Sequence, residues 1–185
     1  MKRMAAVGSV VALTVGVALC YAQEGPQMPP PEKEHAWLQQ LAGEWEAEFE
    51  MEMEPGKPKV KSKWTETARL LGGFWLVASG TGMMGDKPMA SSLTLGFNPK
   101  TKRYIGTWVD STNSHMWHYD GSVDATGKIL ALDAEGPDFN NPDKTAKYRD
   151  TFELKSADHK ILTSSAQGPD GKWTTFLTVD YKRRK

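Results

Sequence analysis

From Glu44 to Glu54 acidic and apolar residues alternate without a break, with Trp45, Ala47, Phe49, Met51 and Met53 between the glutamates. A strand sends successive side chains to opposite faces, so this period of two gives one apolar face and one acidic face. A helix would scatter the glutamates around its circumference. The period therefore predicts a strand, although Glu and Met favour helices. Comparable segments recur between turn signals such as Pro55-Gly56, Gly72-Gly73, Gly82 to Pro88, Asn98-Pro99, Asp110 to Ser114, Asp124 to Gly127, Gly136 to Asp143, Ala157-Asp158 and Pro169 to Gly171. They predict about ten strands, near 44–54, 59–71, 74–81, 89–97, 103–110, 114–123, 128–134, 145–155, 160–167 and 172–183. Such regular spacing is that of an antiparallel up-and-down barrel. One short helix precedes them, from Glu32 to Leu41, and Trp37, Leu38 and Leu41 lie on the side that docks on the barrel.

Alternation also assigns an inner wall. In the second strand Lys61, Lys63, Thr65, Thr67 and Arg69 point out, leaving Val60, Ser62, Trp64, Glu66, Ala68 and Leu70 inside. In the eighth, Ala146, Tyr148, Asp150, Phe152 and Leu154 are inside. Glu66 and Asp150 are thus carboxylates on apolar faces, and each needs a hydrogen bond, an ion pair or water in a cavity. A structural tie and a ligand contact both meet that need. In the last strand Trp173, Thr175, Leu177, Val179, Tyr181 and Arg183 share one face. Arg183 is expected to close over Trp45, just after Gly43, and to seal the barrel.

The densest chemistry lies between Thr107 and Gly121, with Trp108, Asp110, His115, Trp117, His118 and Tyr119. His115 and His118 are an odd number of positions apart, so in a strand they face opposite ways and cannot share a metal. Placing Trp117 and Tyr119 inside puts His115 near the mouth, close to Asp110. A histidine among aromatic residues is a satisfied polar core group or, for a haem iron, a sole protein ligand. His35 and His159 read as solvated. Asp138, Asn140, Asn141 and Asp143 read as an exposed turn, since their spacing is not that of a calcium loop.

The first residues carry a different signal. Lys2 and Arg3, the apolar run Val7 to Leu19, and Cys20-Tyr21-Ala22 read as a signal peptide cut after Ala22. Leu19 before Cys20 is bulkier than a lipoprotein signal carries, which disfavours lipid anchoring. The domains are then 1–22 signal peptide, 23–31 Pro-rich linker and 32–185 a single barrel, exported to a bacterial periplasm or beyond. Cys20 is the only cysteine, so the exported barrel has no disulfide, thiol nucleophile or cysteine metal site. Without Lys2 and Arg3, 21 basic residues face 23 acidic ones, a balance that argues against nucleic acid and anionic membrane as partners. The chain has no Gly-x-Ser-x-Gly elbow, phosphate-binding glycine loop or His-Glu-x-x-His. No catalytic residue is assigned.

Several segments resemble a bacterial family known as domain-of-unknown-function family 1579. They are Leu41 to Trp45, Glu66 ahead of Leu71 to Leu76, Leu95 to Asn98, Tyr104 to Ser111, Tyr119 to Gly121, Tyr148 to Asp150 and Tyr181 to Arg183. The resemblance implies a calycin-like barrel, similar in shape to lipocalins, fatty-acid-binding proteins and nitrobindins. Nitrobindin-like proteins hold ferric haem through a histidine on a late strand, where this chain has only His159. The expectation is a non-enzymatic barrel that binds a small apolar ligand. Its walls would be Trp45, Trp64, Trp108, Trp117 and Tyr148, and its polar anchors Glu66, Asp110, Asp150 and His115. A haem protein using His115 is one alternative. A partner-binding or structural envelope domain, presenting its glutamate and lysine faces, is another.

Overall fold

A short helix and ten antiparallel strands make up the computed structural model, which describes residues 29–51, 59–139 and 141–185. Residues 1–22, read above as a signal peptide, linker residues 23–28, the strand end at 52–54, the Pro55-Gly56 turn and Asn140 lie outside the described residues. Helix α1 (Lys33–Leu38) runs into a 3-10 turn (Gln39–Leu41). The strands are β1 (Gly43–Met51), β2 (Val60–Leu71), β3 (Trp75–Met84), β4 (Lys87–Asn98), β5 (Arg103–Asp110), β6 (Trp117–Val123), β7 (Ile129–Asp138), β8 (Asn141–Ser156), β9 (His159–Gln167) and β10 (Trp173–Arg183). Each pairs with the next in sequence, and β10 returns to β1, so the sheet closes into a barrel with no crossover. No helix among the described residues is long and apolar enough to cross a membrane.

The glutamate face of β1 and the lysine face of β2 meet each other. Register sets Glu48 beside Lys63 and Glu50 beside Lys61, with charged atoms 3.2 and 4.0 Å apart. These pairs are wet, and each contributes less than about 1 kcal/mol. Inside, Trp45 and Ala47 of the same strand are buried.

Helix α1 closes one end of the barrel. Leu38 and Leu41 join Leu76, Leu95, Tyr104 and Leu130 in the main core. Trp37 donates its indole N–H to Gly127 O at 2.8 Å, and the Tyr104 hydroxyl donates to Glu34 O at 2.9 Å. His35 is buried, against expectation. Its Nδ1 accepts the Glu32 N–H at 2.9 Å, and its ring lies edge-on to Phe74 and Phe97. A six-residue helix is too short for its period to assign that face.

Arg183 seals the same end as expected, with its guanidinium 4.1 Å from the Trp45 ring centre. It also donates to Ala42 O at 2.6 Å and to Ala157 O at 2.9 Å. Gly43 makes room for it: φ is +132°, and a Cβ there would lie 1.9 Å from Arg183 Nη1.

Three strand readings need correction. The β9–β10 register slips between Thr175 and Leu177, leaving Phe176 as the extra residue. The slip turns Trp173 and Thr175 outward, where the Arg149 guanidinium covers the Trp173 ring at 4.4 Å. Only Leu177, Val179, Tyr181 and Arg183 keep the inner side expected of them. Next, Gly136 and Pro137 belong to β7, so the turn into β8 is shorter than the run Gly136 to Asp143 suggests. Proline is tolerated there because β6 pairs with β7 only from Leu130 to Asp133, and no neighbour needs the missing N–H. Finally, β6 starts at Trp117, and His115 belongs to the loop before it.

Candidate functional site

Polar side chains form a layer inside the barrel. Lys160 of β9, 1% exposed, reaches Glu66 of β2 with Nζ–Oε1 at 2.7 Å. Its ammonium lies 4.4 Å from the Trp45 ring centre, 4.8 Å from Tyr181 and 5.9 Å from Phe152. Burial pushes the ammonium below its ordinary pKa, and the Glu66 carboxylate opposes that shift. The sequence contains Lys160, but alternation alone does not place it. Lys160, Leu162, Ser164 and Ala166 mix polar and apolar character as much as Ile161, Thr163, Ser165 and Gln167 do. The available clue is that an inward Glu66 demands a cation.

Asp150 lies on β8, the strand next to β9, in register with Ser164. The Tyr119 hydroxyl donates to its Oδ2 at 2.5 Å, and Ser164 of β9 also hydrogen-bonds the carboxyl. Burial raises the Asp150 pKa against those two hydrogen bonds. The Tyr119 hydroxyl is pushed well above its ordinary value by burial and then by Asp150. Because the folded carboxyl holds its proton to higher pH than the unfolded one, stability falls as pH rises through the raised value. Asp150→Asn keeps an oxygen for Tyr119 and removes this penalty. The variant is expected to be the more stable protein at pH 7 and to lose that advantage at pH 3, as measured by urea denaturation at both values.

Protein encloses Asp150, yet it keeps accessible surface. So do the inward-facing Trp108, Ala146, Leu162, Ala166 and Leu177. In a closed barrel an inward side chain stays accessible only where the interior is unfilled or open to the mouth. These partly covered residues lie on the inner wall, on the side of the polar layer away from α1. No described buried side-chain N or O lacks a partner.

Aromatic rings line the way in. Trp117 packs edge-on to Tyr148 at 4.9 Å, and the Tyr148 hydroxyl donates to Pro137 O at 2.6 Å. Phe139 lies 5.2 Å from Tyr148 and Phe176 6.4 Å from it, and both phenyl groups are exposed at the rim. Beside them the barrel wall parts. β1 and β10 pair only from Trp45–Arg183 to Glu48–Asp180, and a groove opens beyond, where Phe49, Phe176 and Leu177 lie among the charged Glu48, Glu50, Lys59 and Asp180. Phe176 and the groove were not among the residues read as a site, because a bulge has no signal in alternation.

The remaining sequence candidates take other places. Trp64 lies flat over the bare backbone of Gly80 and Gly82, as part of the packed wall. The Asp110 carboxylate accepts from the Thr112 N–H at 2.6 Å, the Thr112 hydroxyl and the Asn113 amide at 2.9 Å, so it shapes its own loop. His115 turns Nε2 toward Glu135 O at 3.3 Å and packs edge-on to Trp117 at 4.8 Å. A Cβ on Gly136 would fall 2.5 Å from the Trp117 ring and 2.9 Å from His115 Nε2. Gly136→Val is thus expected to displace both rings and cost about 1–3 kcal/mol in a urea melt.

The histidines do not fit a haem iron held by one imidazole from the inner wall. His115 engages the main chain of β7, His35 caps the helix and His118 is exposed. His159 is half-buried, not solvated, with Nε2 2.9 Å from Asp180 Oδ2. Among the described residues no group of His, Cys, Asp and Glu is placed to hold a metal ion.

Solved structures share this fold, two of them as follows. Rv2717c from M. tuberculosis has a TM-score of 0.61 at 11% identity, covering 84% of this chain and 100% of that one. The S-type phycobiliprotein lyase CPES from Guillardia theta has a TM-score of 0.54 at 12% identity, covering 85% and 99%. Identities this low establish the fold alone. No curated protein matches the chain. The profile of the family described as "Protein of unknown function (DUF1579)" matches residues 30–183, and the chain belongs to that family.

Proposed function

We propose that this barrel is a binding protein that holds one small, largely apolar molecule between its polar layer and its aromatic mouth. The observation that carries the reading is the accessible inner wall. Trp108, Ala146, Leu162, Ala166 and Leu177 face into a closed barrel yet are only half-buried. Apolar surface left open in that way binds an apolar guest at about 25 cal/mol per Å² covered, before the costs of association. The shared fold with Rv2717c and the phycobiliprotein lyase supports a container and says nothing of its contents.

The export signal supports a protein that works outside the cytoplasm. N-terminal sequencing of the protein recovered from its own host is expected to begin at Gln23. A start at Met1, or a lipid on Cys20, would refute that cut. For the binding itself, native mass spectrometry of protein purified without denaturation is expected to show one small-molecule adduct per chain, or uptake of one 1-octanol when it is offered. A bare mass under both conditions would refute the reading.

A further inference from the structure

Three ionisable side chains meet the interior at the level of the polar layer: Glu66, Lys160 and Asp150. Lys160 and Glu66 neutralise each other at 2.7 Å. The hydrogen-bond partners of Asp150, Tyr119 and Ser164, are both uncharged donors. The site thus holds two carboxyl groups and one ammonium. A carboxylate has about four acceptor positions, and these two donors occupy two of them.

The barrel already displays its own way of holding a buried cation. The Lys160 ammonium sits on a carboxylate and is walled by the rings of Trp45, Tyr181 and Phe152. Asp150 has aromatic neighbours on its own stretch of wall and no ammonium. Tyr148 is two residues along on the same face of β8, and Trp117, two residues from Tyr119, packs against Tyr148. Ring faces carry negative potential and favour a cation over a neutral or anionic group. A ligand carboxylate would instead bring a second negative charge beside the first.

Building on the binding reading above, we propose that the ligand is an amphipathic amine. Its protonated nitrogen is seated on Asp150, and its apolar body lies among Trp108, Trp117 and Tyr148 toward the mouth. The head enters first and the chain fills the accessible inner wall. The third charged neighbour in the layer, Lys160, is held away by Glu66 and its aromatic nest.

The test titrates the intact protein with n-octylamine, 1-octanol and octanoate at pH 7, read by calorimetry and tryptophan fluorescence. Octylamine is expected to bind at least about tenfold tighter than octanol, the worth of one charge-assisted hydrogen bond, with octanoate weakest. In Asp150→Asn the octylamine affinity should fall by a similar factor and the preference for amine over alcohol should vanish. Octanol or octanoate binding as well as octylamine would overturn the proposal while leaving an apolar-ligand barrel intact, as would a preference that survives in Asp150→Asn. Failure of all three compounds to bind would overturn both. The comparison among ligands uses the unaltered protein, so it decides the matter even if the variant does not fold.

Discussion

Glu66→Leu is expected to cost the barrel about 3–5 kcal/mol, because it leaves the Lys160 ammonium buried with no counter-charge. The loss follows from burial more than from the bond. Lys160 is 1% exposed, and the rings of Trp45 and Tyr181 cannot replace a carboxylate. Removing both charges, in Glu66→Leu with Lys160→Met, is expected to recover most of the loss or all of it, since the pair's desolvation cost disappears with it. Urea denaturation of the two proteins separates the cases. A single variant within 1 kcal/mol of the parent, or a double variant worse than the single, would contradict a buried pair.

Trp45→Ala is the second large effect, about 3–5 kcal/mol and a melting temperature lower by roughly 10 °C. Trp45 is wholly buried and donates its indole N–H to Leu41 O at 2.9 Å. Its ring lies between two cations, Lys160 at 4.4 Å and Arg183 at 4.1 Å. Truncation therefore opens a cavity, frees the 3-10 turn and strips an aromatic face from both cations. Arg183→Met tests the parts separately. It removes one cation–π contact, worth up to about 2 kcal/mol, and the ties to Ala42 and Ala157. It should cost less than Trp45→Ala in a thermal melt. An equal cost would mean that the rim bonds, and not the packed indole, hold this end.

These two sites show how much of the barrel is legible in its residues. Strict alternation from Glu44 onward predicts the inner Trp45, and the same rule in the second and eighth strands places Glu66 and Asp150 inside, where the structure has them. Pairing of Arg183 with Trp45 follows from the first and last strands having to meet. Lys160 was not predictable in this way, because both faces of β9 are mixed and a lysine on a mixed strand reads as solvated. The apolar face of β1 also meets polar chemistry that alternation does not show: its Trp45 forms part of the nest around Lys160. Phe176 was hidden by a bulge, which shifts the period by one residue and reverses Trp173 and Thr175. His35 was hidden by brevity, since one turn and a half of helix defines no face.

The proposed chamber depends on none of the charged groups alone. Its existence rests on inner-wall residues that remain accessible, and Ala166 is one of them, two residues from Ser164 and paired with Tyr148. A larger side chain at this position would occupy the proposed space. The most direct measurement is the fluorescence of the neutral probe N-phenyl-1-naphthylamine titrated into the parent protein and into Ala166→Trp, with melting temperatures recorded for both. A chamber predicts saturable enhancement at one probe per chain in the parent and its loss in a folded Ala166→Trp. No enhancement in the parent, or equal enhancement in both proteins, would contradict it.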